Sequence, residues 1–233
     1  MTRLSVIGFD ADDTLWQNES FFRLTEERFA ELLADHAQGD HLKERLLAAE
    51  MKNVGHYGFG IKGFMLSMIE TAVDVTEGRV DGHVIGQILD MGQEMLRHPI
   101  ELLPHVEDTL GALSDRYPLV LITKGDLLHQ EQKLAASGLG EMFAGVEIVS
   151  EKVPSVYSRA FADHGGAEHA MMVGNSMKSD VVPALAAGSW AVYVPHGLSW
   201  ALEHADPPEG HPRYREIADL AGLPEHVAAV AGE

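Results

Sequence analysis

Five short apolar runs, each closed by polar or glycine residues and separated by helical patterns, most constrain what this chain can fold into. Leu4 to Phe9 is rich in Val and Ile and runs straight into the acids Asp10, Asp12 and Asp13. Pro118–Thr123 (PLVLIT), Val146–Val149 (VEIV), Ala170–Val173 (AMMV) and Trp190–Val194 (WAVYV) repeat the pattern. The first run, short and apolar on both alternating positions, predicts a strand buried on both faces. The spacers read as helices. Leu127–Ser137 lies between a candidate N-cap, Asp126, and a candidate stop, Gly138; Val156–Asp163 follows Ser155; Asp180–Ala187 ends at Gly188. Strand and helix alternating at this spacing predict an α/β fold with a parallel sheet, right-handed crossovers and ligands beyond the carboxyl ends of the strands.

Between Trp16 and His98 the rhythm breaks, because long helical patterns follow one another with no strand between them. Ser20–Ala37, His41–Lys52, Phe64–Val75 and Asp81–His98 are amphipathic, and Gly55, Gly58, Gly60 and Gly63 suggest a mobile loop in their middle. The expected organisation is a core of residues 1–15 and 99–233 and an inserted helical domain, 16–98, able to open and close over the catalytic end of the sheet. After Asp206–Pro212, a surface loop, a last short helix is expected near Tyr214–Leu220.

Composition narrows the chemistry. The 233 residues carry a formal charge of −19. That field repels phosphate backbones and anionic lipid, so nucleic acid and membrane surfaces are poor partners. An anionic small substrate needs a metal ion or a few focused cations. With no cysteine in the sequence, thiolate zinc, iron–sulfur clusters and a cysteine nucleophile are excluded. No run approaches the ~18 apolar residues of a membrane span. Met1–Phe9 meets its acids too soon for a secretory signal, which makes the cytoplasm the expected location.

Four strand ends carry polar residues with chemical potential. Asp10, Asp12 and Thr14 follow the first run; this is either a polar turn or a hard-metal site with a carboxylate nucleophile. Thr123 closes the second run, and with the Lys124 and Gly125 amides it is either an ordinary turn or a cradle for phosphoryl oxygens. Lys152, after the third run, is either a solvated lysine or the positive charge the rim requires. Asn175 and Asp180, in GNSMKSD after the fourth, are either turn and cap or the rest of an oxygen cage.

An Asp-x-Asp-x-Thr, a Thr, a Lys and an Asp at four successive strand ends resemble the haloacid dehalogenase-like hydrolase superfamily across almost the whole chain. The resemblance implies a Rossmann-like parallel sheet core with an inserted α-helical cap domain of the superfamily's first type, which selects substrates. It implies Mg²⁺ held by Asp10, the Asp12 carbonyl, Asp180 and the Asn175 position. Asp10 is implied as nucleophile, passing through an aspartyl-phosphate, with Asp12 as general acid and then base. Thr14, Thr123, Lys124, Gly125 and Lys152 are implied around the phosphoryl group. Two departures stand out: Asn175 occupies a position usually held by an acid, and Val153 separates Lys152 from Pro154, which leaves Lys124 and Lys178 as rival lysines.

The reading that results is a Mg²⁺-dependent phosphomonoester hydrolase acting on a small phosphorylated metabolite. Its rivals are a 2-haloacid dehalogenase of the same fold, a phospho-receiver module and a binding protein with a dead site. Halide leaves without a proton, so Asp12 has no task in a dehalogenase, and receivers are about half this size with acids on different strands. The thirteen histidines show no metal spacing and read as surface residues. Trp16, Phe21 and Phe22 read as hinge and cap packing, Lys62 as a candidate substrate contact, and His196 and Trp200 as structural residues near the rim. The sequence names neither the ester nor the oligomeric state.

Overall fold

The computed structural model describes residues 4–198 and 200–232; of the stretch Met1–Phe9 weighed as a leader, Met1, Thr2 and Arg3 lie outside the described residues. In chain order the elements are β1 (Val6–Phe9), α1 (Glu19–Leu32), α2 (Gly39–Tyr57), α3 (Ile61–Val75), α4 (Gly82–Leu96), α5 (Val106–Ser114), β2 (Leu119–Lys124) and α6 (Leu127–Ser137). There follow β3 (Gly145–Val149), α7 (Pro154–Ala160), β4 (Ala170–Gly174), α8 (Val182–Ala186), β5 (Trp190–Tyr193), β6 (Tyr214–Glu216) and α9 (Leu223–Ala231). Among the described residues the strands form one parallel sheet in the order β3-β2-β1-β4-β5-β6. This is the α/β, Rossmann-like architecture. Phe9 pairs with Leu121 on one side and Val173 on the other, so the ends of β1, β2 and β4 reach the same edge of the sheet.

The chain divides into two compact units, Met1–Gln17 with Ile100–Glu233, and Asn18–Pro99. In the first, strand alternation sends successive side chains to opposite faces. Ile7, Phe9, Leu119, Leu121, Met171 and Val173 pack with α5 and α9 through Val106, Leu110, Leu113, Leu223 and Val227. Val6, Val120, Ile122, Ala170 and Met172 pack with Val156, Tyr157 and Phe161 from α7 and its end, and with Ala184 of α8. The second unit has its own core. Leu42 and Leu46 on α2 and Phe64, Met68 and Ala72 on α3 recur at four-residue spacing and meet Phe29, Ile88 and Met95.

Three expectations need correction. The glycine-rich segment is mostly helix: α2 runs through Gly55 to Tyr57, Gly58 breaks it at φ 74°, and α3 begins at Ile61. The stretch near Tyr214–Leu220 is not a helix. Tyr214–Glu216 adds a parallel edge strand to β5, and the last helix comes later, at Leu223–Ala231. A three-residue strand with an exposed Arg and Glu has no apolar run to announce it. Finally, the helix expected over Asp180–Ala187 is a π-helical turn at Met177–Val181 followed by the short α8.

Candidate active site

Asp10 is the first residue beyond β1, and its N–H still donates to Val173 of the neighbouring strand at 2.9 Å. The chain then tightens: the N–H groups of Thr14 and Leu15 both donate to the Ala11 carbonyl, at 3.2 and 2.8 Å. Asp13 takes a positive φ of 60°, which a short polar side chain tolerates better than a branched one. The turn brings Thr14 back under Asp10, whose Oδ2 accepts from the Thr14 hydroxyl at 3.1 Å.

Lys152, beyond β3, donates to Asp10 Oδ1 at 2.5 Å and to Asp180 Oδ1 at 2.7 Å. All three side chains are buried. Burial, then the Asp180 carboxylate, raises the Asp10 carboxyl from 3.8 to about 7 against the pull of Lys152. Burial works against the Lys152 charge, yet Asp10 and Asp180 outweigh it and hold the amine well above its ordinary value. When both carboxyls are ionised, one ammonium between them leaves one negative charge in excess. Of the rival lysines, Lys124 reaches Ser179 Oγ at 3.0 Å and the Glu203 carboxylate, and Lys178 donates to the Leu202 carbonyl at 2.9 Å.

Asp180 is placed by Gly174. A Cβ on Gly174 would stand 2.3 Å from Asp180 Oδ2 and 2.4 Å from its Cγ, so only glycine lets that carboxylate lie against the end of β4. The Ser176 N–H donates to Asp180 Oδ2 at 2.9 Å. Asn175 ties this loop to the first one. Its N–H donates to Thr14 Oγ1 at 3.1 Å, and its side-chain nitrogen, turned to face acceptors, donates to the Asp12 carbonyl at 3.1 Å and to Asp10 Oδ2 at 3.2 Å.

Asp12 is held differently. Its Oδ1 accepts from Trp16 Nε1 at 2.6 Å and from Lys133 Nζ at 2.5 Å, and its Oδ2 accepts from Gln130 Nε2 at 3.2 Å. Burial alone would raise this carboxyl; the Lys133 ammonium and the hydrogen bonds from Lys133, Trp16 and Gln130 bring it below its ordinary 3.8. Gln130 also donates to Thr123 Oγ1 at 2.6 Å, linking the ends of β1 and β2. The Gly125 N–H, at φ 150°, is engaged by the Val149 carbonyl at 3.3 Å.

Asp10, Thr14, Lys152, Asn175 and Asp180 thus converge directly, and Asp12 and Thr123 meet through Gln130. Gln130, Lys133 and Glu203 were not anticipated, and Trp16 does more than pack. The sequence carries no signal for the first two, which only the placement of the helix after β2 reveals. The helix after β2 opens with Leu127 and Leu128, which are 59% and 56% exposed, and turns Gln130 and Lys133 inward. His196, expected near the rim as a structural residue, places Nδ1 3.7 Å from Asp13 Oδ1.

Among the described residues no group of three or more His, Cys, Asp or Glu side chains forms a metal cluster. The donors available are instead two carboxylates and a backbone carbonyl, because Asn175 turns its side-chain nitrogen and not its oxygen toward Asp12 and Asp10. Such hard oxygens fit Mg²⁺, which takes one or two carboxylates and keeps several waters, and the excess negative charge of the triad suits a cation.

A family model for haloacid dehalogenase-like hydrolases matches residues 4–188. The chain belongs to the haloacid dehalogenase-like hydrolases. Among solved structures it is similar to a haloacid dehalogenase-like family hydrolase from Xanthomonas campestris, at 40% identity and a TM-score of 0.88, over 98% of this chain and 92% of the other. Two further members of this fold are more distant. One is described as a predicted phosphoglycolate phosphatase from Haemophilus somnus 129PT, with 20% identity, a TM-score of 0.66 and coverage of 97% and 99%. The other is a 2-haloacid dehalogenase from Pseudomonas syringae pv. tomato DC3000, with 22% identity, a TM-score of 0.62 and coverage of 98% and 100%. A search of curated proteins gives no match. The chain is therefore a haloacid dehalogenase-like hydrolase whose structural relatives include both phosphatases and dehalogenases.

Proposed function

We propose that this hydrolase is a Mg²⁺-dependent phosphomonoesterase that works through an aspartyl-phosphate on Asp10. Asp12 carries the reading. A second carboxylate two residues beyond the nucleophile, bonded to three donors, serves a basic alkoxide leaving group, whereas a departing halide needs no proton.

In the first half-reaction an Asp10 oxygen bonds to phosphorus as the ester P–O bond breaks, and the Asp12 carboxyl gives its proton to the departing oxygen. Paired with Lys133, Asp12 is ionised in the free site; the phosphate dianion beside it raises its proton affinity, and it takes a proton from solvent before the ester bond breaks. In the second half, Asp12 accepts a proton from the water whose oxygen bonds to phosphorus as the Asp10–phosphorus bond breaks. Inorganic phosphate and the alcohol are the products. Lys152 and Thr123 bind the equatorial oxygens, and Lys152 also screens the nucleophile from Asp180; Lys124 and the Gly125 N–H are held instead by Glu203 and the Val149 carbonyl. Asp10, the Asp12 carbonyl and Asp180 would hold Mg²⁺, which when bound offsets the repulsion between the Asp10 carboxylate and an anionic phosphate; Asn175, expected among the ligands, instead orients them by donating to the Asp12 carbonyl and Asp10 Oδ2. The helical unit is assigned the selection of a small phosphorylated substrate.

The test is phosphate release from a panel of phosphomonoesters with Mg²⁺ and with a chelator, for the parent, Asp10→Asn and Asp12→Asn. Turnover is expected only with Mg²⁺. It should be lost in Asp10→Asn and reduced by about 10²–10⁴-fold in Asp12→Asn. Halide release from a 2-haloacid without phosphate release from any ester would overturn the reading.

A further inference from the structure

The mechanism above asks more of Asp12 than proximity, because one carboxylate must present the same oxygen first to an ester oxygen and then to a water. We propose that Gln130 and Lys133 are positioning residues that lock the Asp12 carboxylate so that Oδ2 is its proton-transferring atom. This inference rests on the phosphomonoesterase reading.

Three observations carry it. First, Oδ1 is saturated: Trp16 Nε1 at 2.6 Å and Lys133 Nζ at 2.5 Å occupy it, while Oδ2 has a single longer bond to Gln130 at 3.2 Å. The carboxylate is thereby fixed in plane and rotamer, and it retains 24% side-chain exposure although Lys133 has only 10%. Second, α6 is a stiff support. Asp126 caps its start by accepting from the His129 N–H at 3.1 Å, Gly138 ends it at φ 73°, and it leaves β2 with two residues between them. Third, α6 turns two polar side chains inward beside Leu134, which packs on the sheet core. It exposes Leu127 and Leu128 and buries Gln130 and Lys133. An ammonium and an amide taken out of water without partners are costly, and both find theirs on Asp12, Gln130 reaching Thr123 Oγ1 and the Lys124 carbonyl as well.

A carboxylate held this way matters in proportion to the basicity of the leaving group. Nitrophenolate departs without help, whereas phenolate and alkoxides need the proton as the P–O bond breaks. Kcat/KM covers only the steps through release of the alcohol, so it isolates the first proton transfer from the later attack of water.

The experiment measures kcat/KM for substituted phenyl phosphates, from dinitrophenyl to unsubstituted phenyl, with the parent, Lys133→Met, Lys133→Gln and Asp12→Asn, all with Mg²⁺. The parent should show a shallow dependence on leaving-group pKa and Asp12→Asn a steep one. Lys133→Met should move to the steep dependence, losing about 10²-fold with phenyl phosphate and less than about fivefold with dinitrophenyl phosphate. The slope is taken within one preparation, so a partly folded sample leaves it unchanged, and Lys133→Gln supplies the slope if the Met variant does not fold. Equal losses across the series, or none, would overturn the positioning role while leaving the phosphomonoesterase reading intact. A parent that hydrolyses none of these esters would overturn both.

Discussion

Glu203 shows how much of the site's order rests on a residue that does no chemistry. It lies on the tight turn Ala201–Glu203 after β5, and its carboxylate accepts from Lys124 Nζ and from the hydroxyls of Ser176 and Ser179. These bonds join the loop after β5 to the loop that carries Asp180 and to the end of β2. Burial would raise the Glu203 carboxyl, but Lys124 and the two serines bring it below its ordinary 4.5. A carboxyl depressed in the folded state stabilises the fold above its unfolded pKa, and that contribution fades as pH falls through the folded value. Glu203→Gln should therefore cost about 1.5–3 kcal/mol at neutral pH, as expected for hydrogen bonds to a charged group. The gap to the parent should close as the pH drops below 4.5. Urea unfolding of both proteins at several pH values reads this directly, and a gap independent of pH would contradict it.

At the scale of elements, β4 and the turn beyond it deliver Asp180, and Gly174 is where that delivery is most exposed to change. A methyl group there would meet the Asp180 carboxylate at 2.3 Å, while β4 itself stays paired with β1 and β5. Gly174→Ala should cost about 1–3 kcal/mol in stability through overpacking. Displacing the carboxylate by about 1 Å should lower kcat by around 10²-fold. Phosphate release and urea unfolding measured together separate the two effects. The same elements show what a sequence can reveal. β1, β2, β4 and β5 were legible because a strand covered on both faces must be apolar on both, and a strand end must put its next polar residue on the rim. α6 was legible in its bounds, since Asp126 and Gly138 cap it. Its inward contacts were not, because helical periodicity says which residues share a face and not that Gln130 and Lys133 turn toward Asp12. β6 was illegible for the opposite reason: an exposed three-residue edge strand is defined by its partner, β5, and not by its own composition.

At the scale of the whole molecule, the helical insertion can be treated as a removable part, for reasons visible on each side of its joints. Among the described residues, the two apolar clusters that sandwich the sheet draw on no side chain between Asn18 and Pro99, and the helical cluster draws on none outside that range. The chain leaves the sheet unit and re-enters it side by side. Trp16 faces Leu102 in an antiparallel bridge, the Gln17 N–H donates to the Glu101 carbonyl at 2.9 Å, and the Leu103 N–H donates to the Leu15 carbonyl at 2.9 Å. Paired antiparallel segments stand about 5 Å apart, a gap that a turn of about 2–5 residues closes. Loop-closure entropy grows only with the logarithm of loop length, so a short connection adds no penalty. Replacing residues 18–99 with a short glycine- and serine-rich turn should leave a sheet unit that unfolds cooperatively in urea. Its far-UV circular dichroism should lose the contribution of α1 to α4 and keep that of the remaining α/β core. The Trp16 indole, still donating to Asp12 beside the joint, gives a fluorescence probe of whether the turn from Asp10 to Trp16 survives. A non-cooperative transition, or indole emission shifted to that of tryptophan in water, would show that the sheet unit depends on the insertion for its fold.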